Sequence, residues 1–154
     1  MNMETVMNSD MLASTARLRS HVIIRALAAF PIACFSCALL TDIAYVQTMR
    51  MMWADFSDWL LAVGMAGGVV AAIAGLVSLW LHRRRGKSRA VWPLVIGIAL
   101  VLIVAFFNNL VHSRDAWTSV MPTGLALSAV TVLLMLVVAV VSARMSDPLN
   151  SAIA

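Results

Sequence analysis

The sequence predicts an all-α integral membrane protein: an antiparallel four-helix bundle with both termini in the cytoplasm. Three observations lead to this prediction, namely the composition, the lengths of the apolar runs and the positions of the basic residues. Hydrophobic residues make up 62 % of the chain and charged residues 12 %, whereas a soluble domain has about 25 % charged residues. A soluble domain of this size could not bury so much apolar surface, so lipid must cover much of it.

Four apolar runs of about 21–25 residues follow one another along the chain. A helix needs roughly 20 residues to cross the hydrocarbon core of a bilayer, because it rises about 1.5 Å per residue. Each run is therefore long enough to form a transmembrane helix. The predicted spans cover about residues 22–46, 59–82, 91–112 and 121–143.

The basic residues predict the orientation of these spans. Nine of the eleven Lys and Arg residues lie in the N-terminal segment, the connection between the second and third spans, and the C-terminal tail. The other two connections contain only Arg50 and Arg114. Because basic residues are enriched on the cytoplasmic side of a membrane, both termini are predicted to be cytoplasmic and the two sparsely charged loops to face outward.

The residues outside the spans are too few and too polar to form a soluble domain. Residues 1–20 are predicted to be a cytoplasmic tail or a weakly amphipathic helix on the membrane surface. The transmembrane domain covers residues 21–145, and residues 146–154 form a second cytoplasmic tail. The net charge of +4 comes from residues near helix ends, where they meet lipid headgroups, so no nucleic-acid partner is expected. The expected location is a bacterial inner membrane, crossed several times.

The second span carries small residues at helical spacing. Lipid tails compete equally well for apolar side chains, so membrane helices associate where small residues let their backbones approach closely. This stripe is therefore the expected face of tightest helix packing, either inside the bundle or against a second copy or a partner protein. Its members are Gly64, Gly68, Ala72 and Gly75.

One carboxylate lies inside a predicted span. Asp42 is about four residues from the end of the first span, and a charged group inside a membrane usually meets a partner. The third span ends with polar residues at the matching depth, so we expect an outer polar cluster. This cluster either links the helices or binds a quinone headgroup, a proton or a small polar ligand. Its predicted members are Asp42, Tyr45, Asn108, Asn109 and His112, with Arg114 just beyond them.

Two histidines bear on a haem site. Bis-histidine ligation of haem requires two imidazoles that face each other at similar depth. His21 at the start of the first span and His82 at the end of the second are both predicted to lie near the cytoplasmic side of the membrane. His112 is predicted to lie near the outer side. His21 and His82 are therefore the candidate ligands of a b-type haem, although histidines beside basic residues are ordinary at membrane surfaces. We recognise no metal-binding motif and no catalytic motif in the chain.

Three stretches of the chain are FPIACFSCALLTDIAY (residues 30–45), WADFSDWLLAVGMAGGVVAAIAGL (53–76) and NNLVHSRDAWTSVMPTGLALS (108–128). In their order, spacing and amino-acid sequence, these stretches resemble the bacterial membrane proteins catalogued as domain of unknown function 2231. The resemblance covers roughly residues 21–145 and implies a four-helix membrane domain whose function is not established. Members of that family often carry a paired His-Pro before the first stretch, and of this pair only His21 remains here.

The resemblance also implies a redox context, because domains of this family occur joined to Rieske-type or quinoprotein dehydrogenase modules. The chain is therefore expected to be a non-catalytic accessory or anchor subunit, packed through its glycine stripe against a partner in a periplasm-facing redox complex. One alternative is a membrane electron carrier that binds b-type haem or a quinone. A further alternative is the passage of a proton or small solute past Asp42.

The predicted orientation can be tested by cysteine labelling in intact cells. Cys34 and Cys37 are first replaced by alanine, and a new cysteine is placed at Lys87 or at Arg50. A membrane-impermeant maleimide should label Arg50→Cys in intact cells and Lys87→Cys only after the cells are opened, because basic connections stay in the cytoplasm. Labelling of Lys87→Cys in intact cells would contradict the orientation.

Overall fold

The computed structural model describes an all-helical protein. It covers the backbone of residues 3–83, 92–114 and 120–146. No strand occurs among these residues, nearly all of which belong to four long helices and one short kinked segment. Within these ranges, the description leaves out the side chains at positions 3, 5–6, 9–10, 13–21, 82–83 and 146.

The four long helices match the four predicted spans. Each is long and apolar enough to cross a membrane, with a mean hydropathy between 2.1 and 2.8 over its candidate span. In the apolar stretch that defines each span, only 17–22 % of the residues are buried inside the protein, so most of each span is left to contact its surroundings in the membrane. The helices are α1 (Met3–Thr48), α2 (Met51–Arg83), α3 (Trp92–His112) and α4 (Leu125–Ser146), and the kinked segment Val120–Gly124 precedes α4.

The N-terminal segment is helical and continuous with the first span. Residues 3–20 have helical backbone and belong to α1, which runs without interruption through Pro31 to Thr48. The candidate span within α1 is Val22–Thr48. The surface location of residues 1–20 and the domain boundary at residue 21 stay predictions.

The second helix begins earlier than the sequence pattern predicts. The predicted span started near residue 59, whereas α2 and its candidate span both begin at Met51. Ala54 and Ser57 are buried against neighbouring elements, and this tertiary packing keeps the helix intact through Asp55 and Asp58. Hydropathy alone assigns these two carboxylates to a loop because it cannot register which face of a helix is buried.

A very short turn joins α1 to α2. The backbone N–H of Met49 donates a 2.7 Å hydrogen bond to the Tyr45 carbonyl oxygen, and the N–H of Trp53 donates a 3.1 Å bond to the Arg50 carbonyl oxygen. Met49 has φ of 52°, the left-handed conformation that commonly ends a helix. This conformation is unfavourable for a residue with a side chain, so the packing of the two helices must hold it in place.

The bundle is closed by contacts between successive helices and between the first and the last. The most extensive contact is between α1 and α2, followed by that between α3 and α4, while α1 meets α4 and α2 meets α3 over smaller areas. The central apolar cluster contains Phe35 and Ala38 of α1, Leu61 of α2 and Ala105 of α3. Each is at most 2 % exposed, so three of the four helices contribute a buried side chain to this cluster.

Glycines set the closest approaches between helices. A Cβ atom added at Gly64 would lie 2.8 Å from the Cβ of Cys34, and one added at Gly68 would lie 2.9 Å from a Leu102 methyl carbon. The predicted stripe is shorter than its sequence pattern, because a Cβ at Gly75 would meet nothing within 4 Å and Ala72 is only half-buried. Two further glycines approach neighbours as closely: Gly67 against Phe30, and Gly97 of α3 against Val138 of α4.

The two ends of the glycine stripe should respond differently to the same substitution. Gly64→Ala should lower the free energy of unfolding by about 1–3 kcal/mol, because the new methyl group would meet a backbone-proximal atom of α1. Gly75→Ala is the matched control and should be neutral, or stabilising by up to about 1 kcal/mol, since its site is open. Detergent unfolding followed by circular dichroism measures both. Equal stability of the two variants would contradict the packing described.

Candidate functional site

A polar network lies where all four helices meet. Its centre is the Asp42 carboxylate on α1, which is 0 % exposed. Ser57 of α2, His112 at the end of α3 and Ser128 of α4 surround it. We call these four residues, together with Asn108 of α3, the Asp42 network.

Each member of the network occupies the inward stripe of its helix. Residues three, four or seven positions apart lie on one face of an α-helix, and here that face carries both polar residues and small or apolar ones. The stripe therefore carries the polar group inward along with the rest of the core. The buried stripes are Ala38, Asp42 and Tyr45; Ala54, Ser57, Leu61 and Gly64; Val101, Ala105, Asn108 and His112; and Gly124, Ser128 and Thr131.

The Asp42 carboxylate is bound by groups from three other helices. The hydroxyl groups of Ser57 and Ser128 donate hydrogen bonds to its two oxygens, the Ser128 Oγ lying 2.5 Å from Oδ2. The Nε2 atom of His112 is 3.0 Å from Oδ1, so this pair is also an ion pair when the imidazole is protonated. Hydrogen bonds to a charged acceptor are among the stronger ones in proteins, and here they tie α1 to α2, α3 and α4.

Further hydrogen bonds orient the side chains that contact Asp42. The Nδ1 atom of His112 lies 3.0 Å from the Asn108 carbonyl oxygen, which fixes the plane of the imidazole ring. The Asn108 side-chain Nδ2 donates a 2.9 Å hydrogen bond to Ser128 Oγ and so directs the Ser128 hydroxyl proton toward Asp42. On the other side, Thr41 Oγ1 lies 2.8 Å from Ser57 Oγ.

One buried polar atom of the network lacks a hydrogen-bond partner among the described residues. The Asn108 Oδ1 atom is buried and has no hydrogen-bond donor among the described residues. A buried acceptor without a donor is unfavourable by about 1–3 kcal/mol. It is therefore the place in the network where an additional donor group would be stabilising.

The structure brings together three of the six residues predicted for the polar cluster. Asp42, Asn108 and His112 belong to the network, but Tyr45 lies beside it in an apolar cluster with Ala54 and Val120, its hydroxyl 4.0 Å from the Met51 sulfur. The two remaining predicted members take no part: Asn109 is half-buried and Arg114 is exposed beyond the end of α3.

Sequence reasoning missed the two serines that contact Asp42. The second predicted span begins near residue 59 and so leaves Ser57 outside it, and Ser128 lies in a span whose hydroxyl residues carry no distinctive motif. A signal was present for Ser128. It lies four residues after Gly124 and three before Thr131, so these small and hydroxylated side chains share one helical face in an otherwise bulky apolar span.

The predicted haem ligands cannot be placed against one another. The side chains of His21 and His82 lie outside the residues whose side chains are described, so a haem site there stays a prediction. Among the described residues, no three His, Cys, Asp or Glu side chains come close enough to hold a metal ion. The two cysteines of α1 are free thiols, Cys34 buried and Cys37 exposed.

The network is chemically closed. Each of its five side chains belongs to a residue that is at most 5 % exposed, so a substrate has no direct access to the carboxylate, the imidazole or the serine hydroxyls. The observed hydrogen bonds join the four helices through buried side chains.

Comparison with known proteins identifies a family to which the chain is similar. The model of a family described as "Predicted membrane protein (DUF2231)" matches residues 26–149, a range that contains the whole Asp42 network. No curated protein and no solved structure matches the chain.

Removing the central acceptor should destabilise the bundle. In Asp42→Ala, Ser57, Ser128 and His112 lose their shared partner inside the protein, and the free energy of unfolding should fall by about 1–3 kcal/mol. Asp55→Ala changes an exposed carboxylate of α2 and should alter stability by less than about 0.5 kcal/mol. Thermal unfolding in detergent, followed by circular dichroism, compares the two. Indistinguishable midpoints would mean that the network does not stabilise the fold.

Proposed function

The chain belongs to the DUF2231 family of predicted membrane proteins, and from this premise we propose that it is a non-catalytic accessory or anchor subunit of a bacterial inner membrane. The observation that carries the proposal is the closure of the Asp42 network. The carboxylate, imidazole and hydroxyl groups that could perform chemistry are buried and bonded to one another. What remains exposed on the described spans is mainly apolar surface, which suits contact with lipid and with other membrane helices.

A surface groove supports a packing role. It lies between α1 and α2, next to the point where Gly67 approaches Phe30. All of its lining side chains are apolar and they come from both helices, so another transmembrane helix could pack there while burying little polar surface. The residues that line it are Ile23, Ala26, Leu27, Phe30, Val63, Ala66, Gly67 and Val70.

The proposed arrangement is an antiparallel bundle with both termini in the cytoplasm. The contacts of α1 with α2 support opposite directions for these helices: Ser57 lies beside Asp42, Gly64 beside Cys34 and Gly67 beside Phe30. Residues later in α2 therefore contact residues earlier in α1. The concentration of basic residues in alternate connections supports the sidedness.

The proposed partner is a periplasm-facing dehydrogenase or electron-transfer complex. This choice follows from the family resemblance, because domains of that family occur joined to Rieske-type or quinoprotein dehydrogenase modules. The rival function is that of an electron carrier with its own haem, with His21 and His82 as the ligands. The two functions differ in a directly measurable property. A carrier has the absorption spectrum of a bound haem, whereas an accessory subunit is colourless once its partner is removed.

Purification in mild detergent should recover the chain with a stoichiometric membrane partner, identified by mass spectrometry. Ala26→Phe would fill the groove and should lower partner recovery about tenfold, equivalent to about 1.4 kcal/mol. Ala29→Phe is the matched control, because Ala29 is also exposed on α1 but does not line the groove. Equal loss in both variants, no partner at all, or a haem spectrum abolished by His82→Ala would each overturn the proposal.

A further inference from the structure

We propose that the Asp42 network is a proton-binding site, in which Asp42 and His112 hold one exchangeable proton between them. This goes beyond the accessory role, which requires the network only to join helices. The ligand is a proton delivered to the carboxylate–imidazole contact, where Nε2 of His112 lies 3.0 Å from Oδ1 of Asp42.

The first step of the argument is the state of the His112 Nδ1 atom. It lies 3.0 Å from the backbone carbonyl oxygen of Asn108, and a carbonyl oxygen can only accept a hydrogen bond. Nδ1 must therefore carry a hydrogen and donate it. The ring plane and the tautomer are both set by this bond, independently of Asp42.

The second step is the state of the facing Nε2 atom. If Asp42 were ionised and Nε2 carried no hydrogen, two lone pairs would face each other at 3.0 Å in a buried site. One proton between the two atoms removes this repulsion. It can rest on His112, giving an ion pair, or on Asp42, giving a neutral pair, and both forms contain the same number of protons.

Hydroxyl groups donate hydrogen bonds to Asp42, but no cationic side chain other than protonated His112 is paired with it among the described residues. The titratable groups next to the network on α1 and α2 are Tyr45, three residues after Asp42, and Asp58, which follows Ser57, and neither of them is cationic. Beyond the end of α3, Arg114 is exposed. From α4 the buried polar groups are the hydroxyls of Ser128 and Thr131. Among the described residues, only the proton shared with His112 balances the buried carboxylate.

The position of the pair makes the proton exchangeable from one end of the bundle. His112 is the last residue of α3, and Asp42 lies within two turns of the end of α1. A proton therefore needs to pass little of the bundle to reach the solvent at that end. Release of the proton would leave a buried anion without a cationic partner where four helices meet, so helix packing at that end is coupled to proton occupancy.

The test uses the full chain in lipid nanodiscs, with ¹⁵N-labelled histidine for NMR and infrared spectroscopy of the carboxyl groups. His112→Gln assigns the His112 resonances; if that variant fails to fold, His21→Gln and His82→Gln assign them by difference. We expect either two protonated His112 nitrogens or a carboxylic-acid band that Asp42→Asn removes. In Asp42→Asn the amide can donate to Nε2, so His112 should become neutral with its ring still in place.

Alkaline titration then tests exchange. The signal of the shared proton should disappear reversibly in one step in the wild type, and Asp42→Asn should show no such step. Two results would overturn the proposal. One is an unprotonated Nε2 in the wild type without any carboxylic-acid band assignable to Asp42. The other is a signal that persists until the chain unfolds, which would show that the proton is a fixed part of the structure.

Discussion

The burial of one carboxylate constrains the arrangement of all four helices. An isolated anion inside a membrane-spanning bundle would be destabilising by several kcal/mol. Asp42 is tolerated there because donors from α2, α3 and α4 converge on its two oxygens. These donors reach it only when the helices share one relative depth and rotation. The network thus selects one packing among surfaces that are otherwise coated with interchangeable apolar side chains.

Close packing and the polar network act at different levels of the bundle. Gly64, Gly67 and Gly68 let α2 approach α1 and α3 beyond Ser57 in the chain, and Gly97 does the same between α3 and α4. In a bilayer the hydrophobic effect contributes little to helix association, so such contacts and buried hydrogen bonds determine the assembly. The glycines set how near the helices come, and Asp42 determines which faces meet.

The same network bears on both functional proposals. Because the polar side chains of the network are buried, the described outer surface of the spans is largely apolar. This surface favours a role in assembly with other membrane components. The internal hydrogen-bond pattern of the network favours one proton between Asp42 and His112. The two roles are compatible, since a subunit whose helix packing depends on a bound proton could transmit the state of that proton to the partner packed against it.

Hydropathy and charge in the amino-acid sequence were enough to predict the number of spans and the residues most in need of partners. Hydropathy and length were sufficient for four helices, because a bilayer admits few alternatives to a continuous apolar helix. The position of Asp42 inside a span, opposite Asn108 and His112 at matching depth, was sufficient to expect these three residues together. Depth depends on distance along the chain, which a sequence shows directly.

Which small and hydroxylated residues contact one another became clear from the packed bundle and not from the sequence. Ser57 and Ser128 contact Asp42 while Tyr45 and Asn109 do not, and Gly97 is tightly packed while Gly75 is open. These outcomes depend on the rotation of each helix about its own axis. A sequence in which nearly every face is apolar does not encode that rotation locally, because it is set by contacts among all four helices at once.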